Sequence, residues 1–407
     1  MGLANKFPSY DQPPAAGFRD AGAFGVYVHV PFCAHTCDFC AFYQVEPRRD
    51  DIEQYLTAIE REFALIENLR PADTAFWGGG TPGLLAPRDL ERLGRAQLAR
   101  FGKPAREWTV ELAPGSVKPD KLTVLRDLGV TRVSLGVQSF SPHILDALGR
   151  QHSLAQIRRA WDAIRAAGFS SVNLDLIFAV PGQSPEDWRE DLRAAIRCEP
   201  NHISTYCLTF EEDARLFVRL AQGKLKLDPE RERQFYEVTC EQLAASGYAQ
   251  YEISNHARPG HECLHNLNTW RMHEWAGFGP SAASQQDGWR GANPADLRAW
   301  IQLVASGDRG SQDRIVLSRA QLVEDAVIFG LRMNAGVNLL DLEKRFGADV
   351  LEKFRPTMND LVGDGLAEWL DDQRAHIALT PAGRLVADGV AAEFLGCAGK
   401  SEQASPS

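Results

Sequence analysis

The sequence predicts an α/β fold: a partial, TIM-like (β/α)6 barrel followed by a C-terminal, mainly helical, winged-helix-like module. From residue 25 to about residue 210, short apolar runs alternate with turns and amphipathic segments, a pattern typical of βα units around a parallel sheet. From about residue 315 the chain is helical again and ends in two short strand candidates and a last helix. The alternation predicts the barrel, and the change of pattern predicts the module.

Six apolar runs are the predicted strands of the barrel. They span residues 25–30, 74–79, 107–112, 132–137, 171–178 and 202–210. Predicted helices between them include 51–69, 153–168 and 184–198, of which the last two begin with a serine that suits a helix N-cap. Right-handed crossovers curl such a sheet toward a barrel. The carboxyl ends of the strands then meet at one face, where barrel enzymes carry their active sites.

Five regions follow along the chain. A flexible N-terminal segment (1–22) precedes the barrel (23–250), a loop region rich in His, Trp and Gly (251–312), a winged-helix-like domain (313–396) and a disordered tail (397–407). Further predicted elements are helices at 213–222, 229–247, 319–333, 339–347 and 349–365, strands at 367–370 and 375–379, and a helix from Pro381.

Composition and charge argue against several classes of protein. The net charge of −10, with scattered Lys and Arg, argues against non-specific nucleic-acid binding. No apolar run approaches the roughly 18 residues of a membrane-spanning helix, and the N-terminus has no signal-peptide core. We therefore expect a cytoplasmic protein with reduced cysteines. Cys198, Cys207, Cys240 and Cys397 stand singly in apolar or helical contexts and are predicted core residues.

Three further cysteines, Cys33, Cys37 and Cys40, directly follow the first predicted strand with the spacing C-x3-C-x2-C. A structural zinc site needs four ligands, so His35 or a distant residue would have to complete it. A redox pair would use Cys37 and Cys40 and leave Cys33 unexplained. A [4Fe–4S] cluster on three thiolates would leave one iron open to another ligand. The spacing alone leaves these three alternatives open.

Five stretches together resemble a known family. They are "YVHVPFCAHTCDFCAFY", "FWGGGTP", "RVSLGVQSF", "LGRQHS" and "NLDLIFAVPGQ". They are similar to the radical S-adenosylmethionine (SAM) superfamily and, within it, to the coproporphyrinogen III oxidase-like family, which contains oxygen-independent coproporphyrinogen III oxidases and the HemW-type heme chaperones. The resemblance covers roughly residues 25–395. It implies a [4Fe–4S] cluster on the three cysteines, with the open iron chelated by the amino and carboxylate groups of SAM.

The resemblance also implies which residues line the SAM site. The matching positions are Tyr27, Phe39, Gly79, Gly80, Thr81, Glu111, Gln138, Arg150 and Asp175, with Thr209 and Ala283 nearby. Each has a structural alternative: Tyr27 could be a core aromatic residue, Arg150 a surface charge, and the small residues packing positions. Asp175 is the hardest to explain structurally, because a carboxylate inside "VNLDLIF" would be buried and an unpaired buried charge is costly.

Two departures favour the chaperone branch over the oxidase branch. The oxidases continue the motif to a fourth cysteine, and Phe42 occupies that position here. The first predicted strand begins at residue 25, which leaves little room for the longer N-terminal extension of the oxidases. We expect no coproporphyrinogen dehydrogenase activity, with oxidative decarboxylation of two propionates as the alternative function. A third alternative is a radical SAM enzyme that acts on heme itself, such as a ring-opening methyltransferase.

The stretch "HNLNTW" (265–270) resembles the H-N-x-x-Y-W motif that the chaperone branch links to heme binding. His265, Asn266 and Trp270 match, and Thr269 replaces the tyrosine. His256, His261 and His273 crowd the same region, together with Cys263. Imidazole can ligate heme iron, and aromatic rings can cover a flat macrocycle. We therefore predict a heme chaperone of porphyrin metabolism that passes heme to an acceptor protein.

Overall fold

The structure is a computed structural model that describes residues 22–66, 70–309, 314–347 and 351–397. Apart from Gly22 and Cys397, the predicted N-terminal segment and tail lie outside these ranges. None of the described helices is both long and apolar enough to cross a bilayer.

The predicted α/β barrel is confirmed. Its strands are β1 (Gly25–Val30), β2 (Thr74–Gly79), β3 (Glu107–Leu112), β4 (Arg132–Gln138), β5 (Ser171–Phe178) and β6 (His202–Cys207). The helices on the same stretch are α1 (Arg49–Ala64), α2 (Pro87–Phe101), α3 (Pro119–Leu128), α4 (Pro142–Ala147), α5 (Leu154–Ala167), α6 (Pro185–Arg197), α7 (Arg215–Ala221) and α8 (Pro229–Ala245). The sixth strand is shorter than expected, because it ends at Cys207 instead of residue 210.

The six strands pair in parallel in the order of the sequence. Alternate side chains of each strand point to opposite faces, so the two faces of the sheet differ in character. On β2, Ala75 and Trp77 are fully buried, and the Trp77 indole donates to Gln97 of α2 over 2.7 Å. The opposite face carries polar residues such as Ser134, Asn173 and Ser204. The outer face therefore forms the hydrophobic core with the helices, and the inner face forms a polar lumen.

The region 251–312 is more ordered than the expected loop. It contributes α9 (Leu264–Trp270), α10 (Leu297–Ala305), β8 (Asn255–Ala257), β9 (Trp275–Phe278), β10 (Ala283–Gln286) and β11 (Trp289–Ala292). With β7 (Ala249–Glu252) and β12 (Ile315–Val316), these strands extend one sheet in the order β12-β11-β10-β9-β1-β2-β3-β4-β5-β6-β8-β7. Strands this short show too little alternation to be recognised among Gly and His residues.

The C-terminal module has its own core. It contains α11 (Arg319–Leu331), α12 (Leu339–Phe346), helices at Arg355–Gly363, Pro381–Leu385 and Ala387–Phe394, and strands β13 (Val337–Asn338), β14 (Ala367–Trp369) and β15 (His376–Leu379). Val323, Phe354 and Ile377 are completely buried within it. Backbone hydrogen bonds from Ile253 to Arg332 and from Asn334 to Tyr251 attach the module to the barrel.

Candidate functional site

The three-cysteine loop begins where β1 ends. It folds back on itself, because the Cys33 amide donates to the Val45 carbonyl (3.0 Å) and the Val45 amide donates to the Pro31 carbonyl (2.8 Å). All three cysteines are half-buried and carry free thiols. Cys33 Sγ lies 3.6 Å from the Thr81 hydroxyl, which follows β2. The loop thus presents three thiols at the carboxyl end of the sheet, next to the glycine-rich turn.

The glycine-rich turn after β2 packs directly against the cysteine loop. The Gly80 amide donates to the Val30 carbonyl and the Thr81 amide to the Phe32 carbonyl. A Cβ atom on Gly80 would lie 2.7 Å from the Val30 carbonyl oxygen, and Gly79 has a φ of +94° that side chains rarely tolerate. Glycine is required at Gly80 because the two backbones approach so closely, and at Gly79 because of its positive φ.

The loop fits a cluster better than a single ion. Among the described residues, no three His, Cys, Asp or Glu side chains converge closely enough to hold one metal ion. A [4Fe–4S] cluster spreads its thiolates over three separate iron atoms and does not need such convergence. Burial raises the pKa values of Cys33 and Cys40, so these thiolates need a compensating positive charge such as bound iron.

Arg150 lies beside the cysteine loop. The Asp38 amide donates to the Leu148 carbonyl, which brings the segment before Arg150 onto the loop, and the guanidinium lies 5.5 Å from the centre of the Phe39 ring. Arg150 forms no ion pair with any carboxylate of the described residues, and its buried Nε has no hydrogen-bond partner. An unpaired guanidinium is costly to bury. A carboxylate ligand, such as that of SAM, would satisfy it.

Two half-buried carboxyl groups, Glu111 and Asp175, face the lumen of the barrel. Asp175 accepts hydrogen bonds from Ser134 Oγ (2.9 Å) and Asn173 Nδ2 (2.7 Å). Burial raises its pKa, although these hydrogen bonds oppose the rise. Burial, together with the Asp175 charge, raises the pKa of Glu111 to about 8. Such perturbed carboxyl groups in a cleft are typical of ligand sites.

Gln138 ends β4 in an unusual conformation. Its φ is +67°, in the left-handed region, and the register between β4 and β5 shifts at this point. Its Nε2 lies 2.9 Å from where a Cβ atom on Gly136 would be, and Arg150 Nη2 lies 3.7 Å from the same point. The amide and the guanidinium therefore flank Gly136 together at the carboxyl end of the strands.

Sequence analysis missed His29. The Tyr27 hydroxyl donates to its Nδ1 (3.1 Å), and its Nε2 donates to the Tyr43 carbonyl (3.0 Å). Burial lowers its pKa, so the imidazole is neutral. A histidine at an inward position of an otherwise apolar strand, directly before the cysteines, was the available signal. His29 connects the lumen side chain Tyr27 to the end of the cysteine loop.

Two of the residues expected to line the SAM site, Thr209 and Ala283, lie outside strands β1–β5 and the loops that follow them. Thr209 is exposed after β6, and its hydroxyl donates to the Cys207 carbonyl over 3.4 Å. Ala283 lies in β10, two strands away from β1, and its carbonyl accepts from the Trp275 indole over 3.0 Å. Seven of the other nine positions are at the carboxyl ends of β2–β4 or in the loops that follow β1, β2 and β4, whereas Tyr27 and Asp175 lie in the middle of β1 and β5 and face the lumen.

The stretch "HNLNTW" does not lie in an open loop, and this corrects the expectation. It forms α9, which covers the amino ends of the strands, opposite the cysteines. Glu107, the first residue of β3, accepts from the amides of Leu264 (3.2 Å) and His265 (3.1 Å) and from Cys263 Sγ (3.5 Å). Glu107, 158 positions before His265, therefore holds the helix to the barrel.

His265 itself points into the barrel. It is 7% exposed, its Nδ1 shares a hydrogen bond of 2.9 Å with the Thr74 hydroxyl, and its ring centre lies 5.3 Å from that of Phe76. Burial lowers its pKa to about 4. The imidazole is therefore neutral, the form that ligates iron, but it is enclosed in this structure.

The rest of the histidine-rich stretch is divided between separate places. Asn266 is half-buried on α9, and Trp270 packs against the C-terminal module, 5.9 Å from Phe329 between ring centres. His256 lies in β8, is 1% exposed and has, among the described residues, no hydrogen-bond partner for either ring nitrogen. His261 lies 3.4 Å from Asn201, on the barrel side. The histidines therefore do not form the open, aromatic-lined surface that their spacing suggested.

Comparison with known proteins agrees with this architecture. Residues 27–195 match the model of the radical SAM superfamily, and residues 317–386 match that of the HemN C-terminal domain. The chain is 31% identical over 377 residues to a protein named heme chaperone HemW from Bacillus subtilis, covering 91% of this chain and 98% of the relative. It is 34% identical over 381 residues to the protein of the same name from Mycobacterium tuberculosis, covering 92% and 95%.

A solved structure gives the same result at the level of the fold. Coproporphyrinogen III oxidase (HemN) from Escherichia coli, a radical SAM enzyme, superposes with a TM-score of 0.78 at 26% sequence identity. The match covers 91% of this chain and 90% of the oxidase. It therefore includes the barrel, the region around α9 and the C-terminal module.

Proposed function

This chain belongs to the HemW family of radical SAM proteins, and on that premise we propose that it is a heme chaperone. It binds heme as cargo and passes it to heme-requiring acceptor proteins, and it carries a [4Fe–4S] cluster that binds SAM. The observation that carries the proposal is its similarity, over nearly the whole of both chains, to proteins named heme chaperone HemW. Phe42 supports it, because this apolar residue is 68% exposed where the oxidases have a thiol.

The residues at the mouth of the barrel have separate roles in this proposal. Cys33, Cys37 and Cys40 hold the cluster. Arg150 binds the SAM carboxylate, since its guanidinium lacks a partner among the described side chains. Glu111, Gln138 and Asp175 hold the other polar groups of SAM, and the Gly79–Gly80 turn lets the backbone approach it closely. The cluster and SAM, when bound, supply one-electron chemistry.

Heme binding is proposed for the α9 end of the barrel, with His265 as the ligand of the iron and Asn266 and Trp270 beside it. The neutral imidazole has the right form for this role. Its Nδ1 is hydrogen-bonded to Thr74 and its ring is buried, so heme ligation requires α9 to move away from the strand ends. A helix of seven residues, held by Glu107, Thr74 and the Glu274 carbonyl, is a small enough unit for such local opening.

The second candidate function is oxygen-independent coproporphyrinogen III oxidation. The fold favours it, because the solved oxidase superposes over nine-tenths of the chain. Phe42 argues against it, since a phenyl ring offers neither ligation nor redox chemistry. We therefore propose that this protein lacks the dehydrogenase activity. We also propose a cytoplasmic location, where free thiols stay reduced.

One experiment separates the two candidates. The purified protein is reconstituted with iron and sulfide without oxygen, then incubated with coproporphyrinogen III, SAM and dithionite, with the Escherichia coli oxidase as positive control. In parallel it is titrated with heme. We expect saturable heme binding at micromolar concentration or below, about −8 kcal/mol, and no SAM-dependent porphyrinogen product. Conversion of coproporphyrinogen III, or no saturable heme binding, contradicts the proposal.

A further inference from the structure

The loop after β4 holds an unusual backbone conformation. Gln138 adopts a φ of +67° although it is not glycine. Such a conformation costs on the order of 1 kcal/mol or more and persists only where surrounding contacts enforce it. The contacts that enforce it here begin with the next two residues, Ser139 and Phe140.

Asp191, on α6, supplies those contacts. One oxygen of its carboxylate accepts from the Ser139 hydroxyl over 2.6 Å, and the other accepts from the Phe140 amide over 2.6 Å. The Ser139 oxygen in turn accepts from the Ser141 amide over 2.9 Å. The carboxylate therefore holds three consecutive residues directly after Gln138.

The burial of Asp191 indicates that packing alone does not explain a carboxylate at this position. Its side chain is 1% exposed, and no Lys, Arg or His among the described residues forms an ion pair with it. The nearest charged groups are Asp187, on the same helix, and His143, on α4. Burying a carboxylate without a cation is costly, so a neutral side chain would serve better if only packing were needed.

We propose that Asp191 is a positioning residue for SAM: it fixes the loop after β4 so that the Gln138 amide faces the mouth of the barrel, beside Arg150. This inference rests on the proposed function, because it assumes that Gln138 contacts SAM. Asp191 itself touches no ligand. It lies on the helix side of the sheet and acts through two hydrogen bonds to the loop.

The test compares two Asp→Asn variants one helical turn apart. Asp191→Asn loses an acceptor, because its amide nitrogen cannot accept from Ser139 or Phe140. Asp187→Asn, in the first turn of the same helix, is the matched control, since its carboxylate binds Ser184 and His143 and neither Ser139 nor Phe140. After anaerobic reconstitution, SAM affinity is measured by equilibrium dialysis and iron content by colorimetry. We expect about tenfold weaker SAM binding for Asp191→Asn, unchanged iron content, and normal binding for Asp187→Asn.

A double-mutant cycle distinguishes positioning from a general structural effect. If Asp191 acts through Gln138, the double variant Asp191→Asn/Gln138→Ala binds SAM no more weakly than Gln138→Ala alone. Additive losses would overturn the inference. Ser139→Ala provides a milder variant if Asp191→Asn does not fold, with an expected loss of about threefold.

The two proposals fail in different ways. If the wild-type protein binds no SAM, the proposed function fails and this inference with it. If the wild-type protein binds SAM and neither Asp191→Asn nor Ser139→Ala changes the affinity by more than twofold, only the inference is wrong.

Discussion

The two ends of the barrel are built differently, although the same strands form both. At the amino end, the buried carboxylate of Glu107 accepts from three donors at the start of α9, and Arg132 lies within its electrostatic reach. At the carboxyl end, Arg150 forms no ion pair among the described side chains, and two carboxyl groups have raised pKa values. The Glu107 carboxylate thus finds its donors within the chain, although Arg132 Nε and Asn268 Oδ1 at the same end have no hydrogen-bond partner among the described residues. At the other end, Arg150 has no carboxylate partner among them.

This difference shows how a polar lumen can serve two purposes. Buried polar groups that are fully hydrogen-bonded give rigidity, whereas partly satisfied ones mark places where a ligand completes the network. In the structure described here α9 closes the amino end of the barrel, whereas the three thiols at the carboxyl end are only half-buried.

The largest expected effect is the loss of the cluster. Cys37→Ala removes a thiolate from the mouth, so we expect iron content after anaerobic reconstitution to fall to background. Cys263→Ala is the matched control, because this cysteine is completely buried at the opposite end, against Glu107. Iron loss in Cys263→Ala, or retained iron in Cys37→Ala, would contradict a cluster bound by the cysteine loop at the carboxyl end.

The next largest effect is on the free energy of unfolding, and it compares the same Glu→Gln substitution at two positions of β3. Glu107→Gln replaces the carboxylate that accepts hydrogen bonds from the start of α9 and lies near Arg132. It should therefore lower the free energy of unfolding by about 3 kcal/mol. Glu111→Gln should change it little, since a carboxyl with a pKa of about 8 is protonated at neutral pH and resembles the amide. Urea unfolding measures both.

The SAM affinities of the same two variants should show the reverse order. Glu111→Gln should weaken SAM binding, and Glu107→Gln should leave it within twofold. Equal destabilisation by the two substitutions would contradict the contrast between the ends.

A pH effect is expected from Glu62, on α1. Its carboxylate accepts from the Gly279 amide (2.8 Å), Asn293 Nδ2 (2.6 Å) and the Trp300 indole (3.2 Å), beyond the carboxyl end of β9. Burial raises its pKa from 4.5 to about 7. Because the folded state keeps this proton longer than the unfolded state, stability should fall as the pH rises from about 4.5 to about 7 and then level off.

The size of the Glu62 contribution should be about 3 kcal/mol. It is measured as the difference in the free energy of unfolding between wild type and Glu62→Gln, by urea unfolding at several pH values. Taking this difference cancels the contributions of other titrating groups. A contribution from Glu62 that grows as the pH rises through this window would have the wrong sign for a buried carboxyl with a raised pKa.

The smallest effect concerns Arg150. Arg150→Gln should weaken SAM binding by about tenfold, or about 1.4 kcal/mol, while urea unfolding stays within about 0.5 kcal/mol of wild type. Arg158, an exposed residue of α5, is the matched control, and Arg158→Gln should change neither quantity. A stability loss of several kcal/mol in Arg150→Gln would mean that the guanidinium has a structural partner.

Much of the mouth could be predicted from the sequence, because each motif follows an apolar run long enough to be recognised as a strand. Cys33, the Gly79–Gly80 turn, Arg150 and Asp175 converge there for that reason. The hydrogen bonds of His29 and Asp191 could not be predicted, since their partners, Tyr43 and the loop after β4, meet them only in the folded chain.

The amino end was predicted poorly for a related physical reason. A helix of seven residues and strands of three or four carry little periodicity. The closure also depends on Glu107, which is far from α9 in the sequence. His265 was therefore expected in an open loop, and the density of histidines in the sequence did not reveal its burial.

The proposed function places the cluster and heme at opposite ends of the barrel. It is tested most directly by measuring heme affinity and iron content on three variants in parallel. The triple Cys33/Cys37/Cys40→Ala variant removes the cluster end, and His265→Ala removes the proposed heme ligand. Thr74→Val is the control, because it removes the hydrogen bond to the imidazole but keeps His265.

We predict that the triple variant loses iron but binds heme within about twofold of wild type. His265→Ala should keep its iron and bind heme at least tenfold more weakly, and Thr74→Val should bind heme as well as wild type or better. Loss of heme binding in the triple variant, with normal binding in His265→Ala, would place the heme at the mouth and contradict the account.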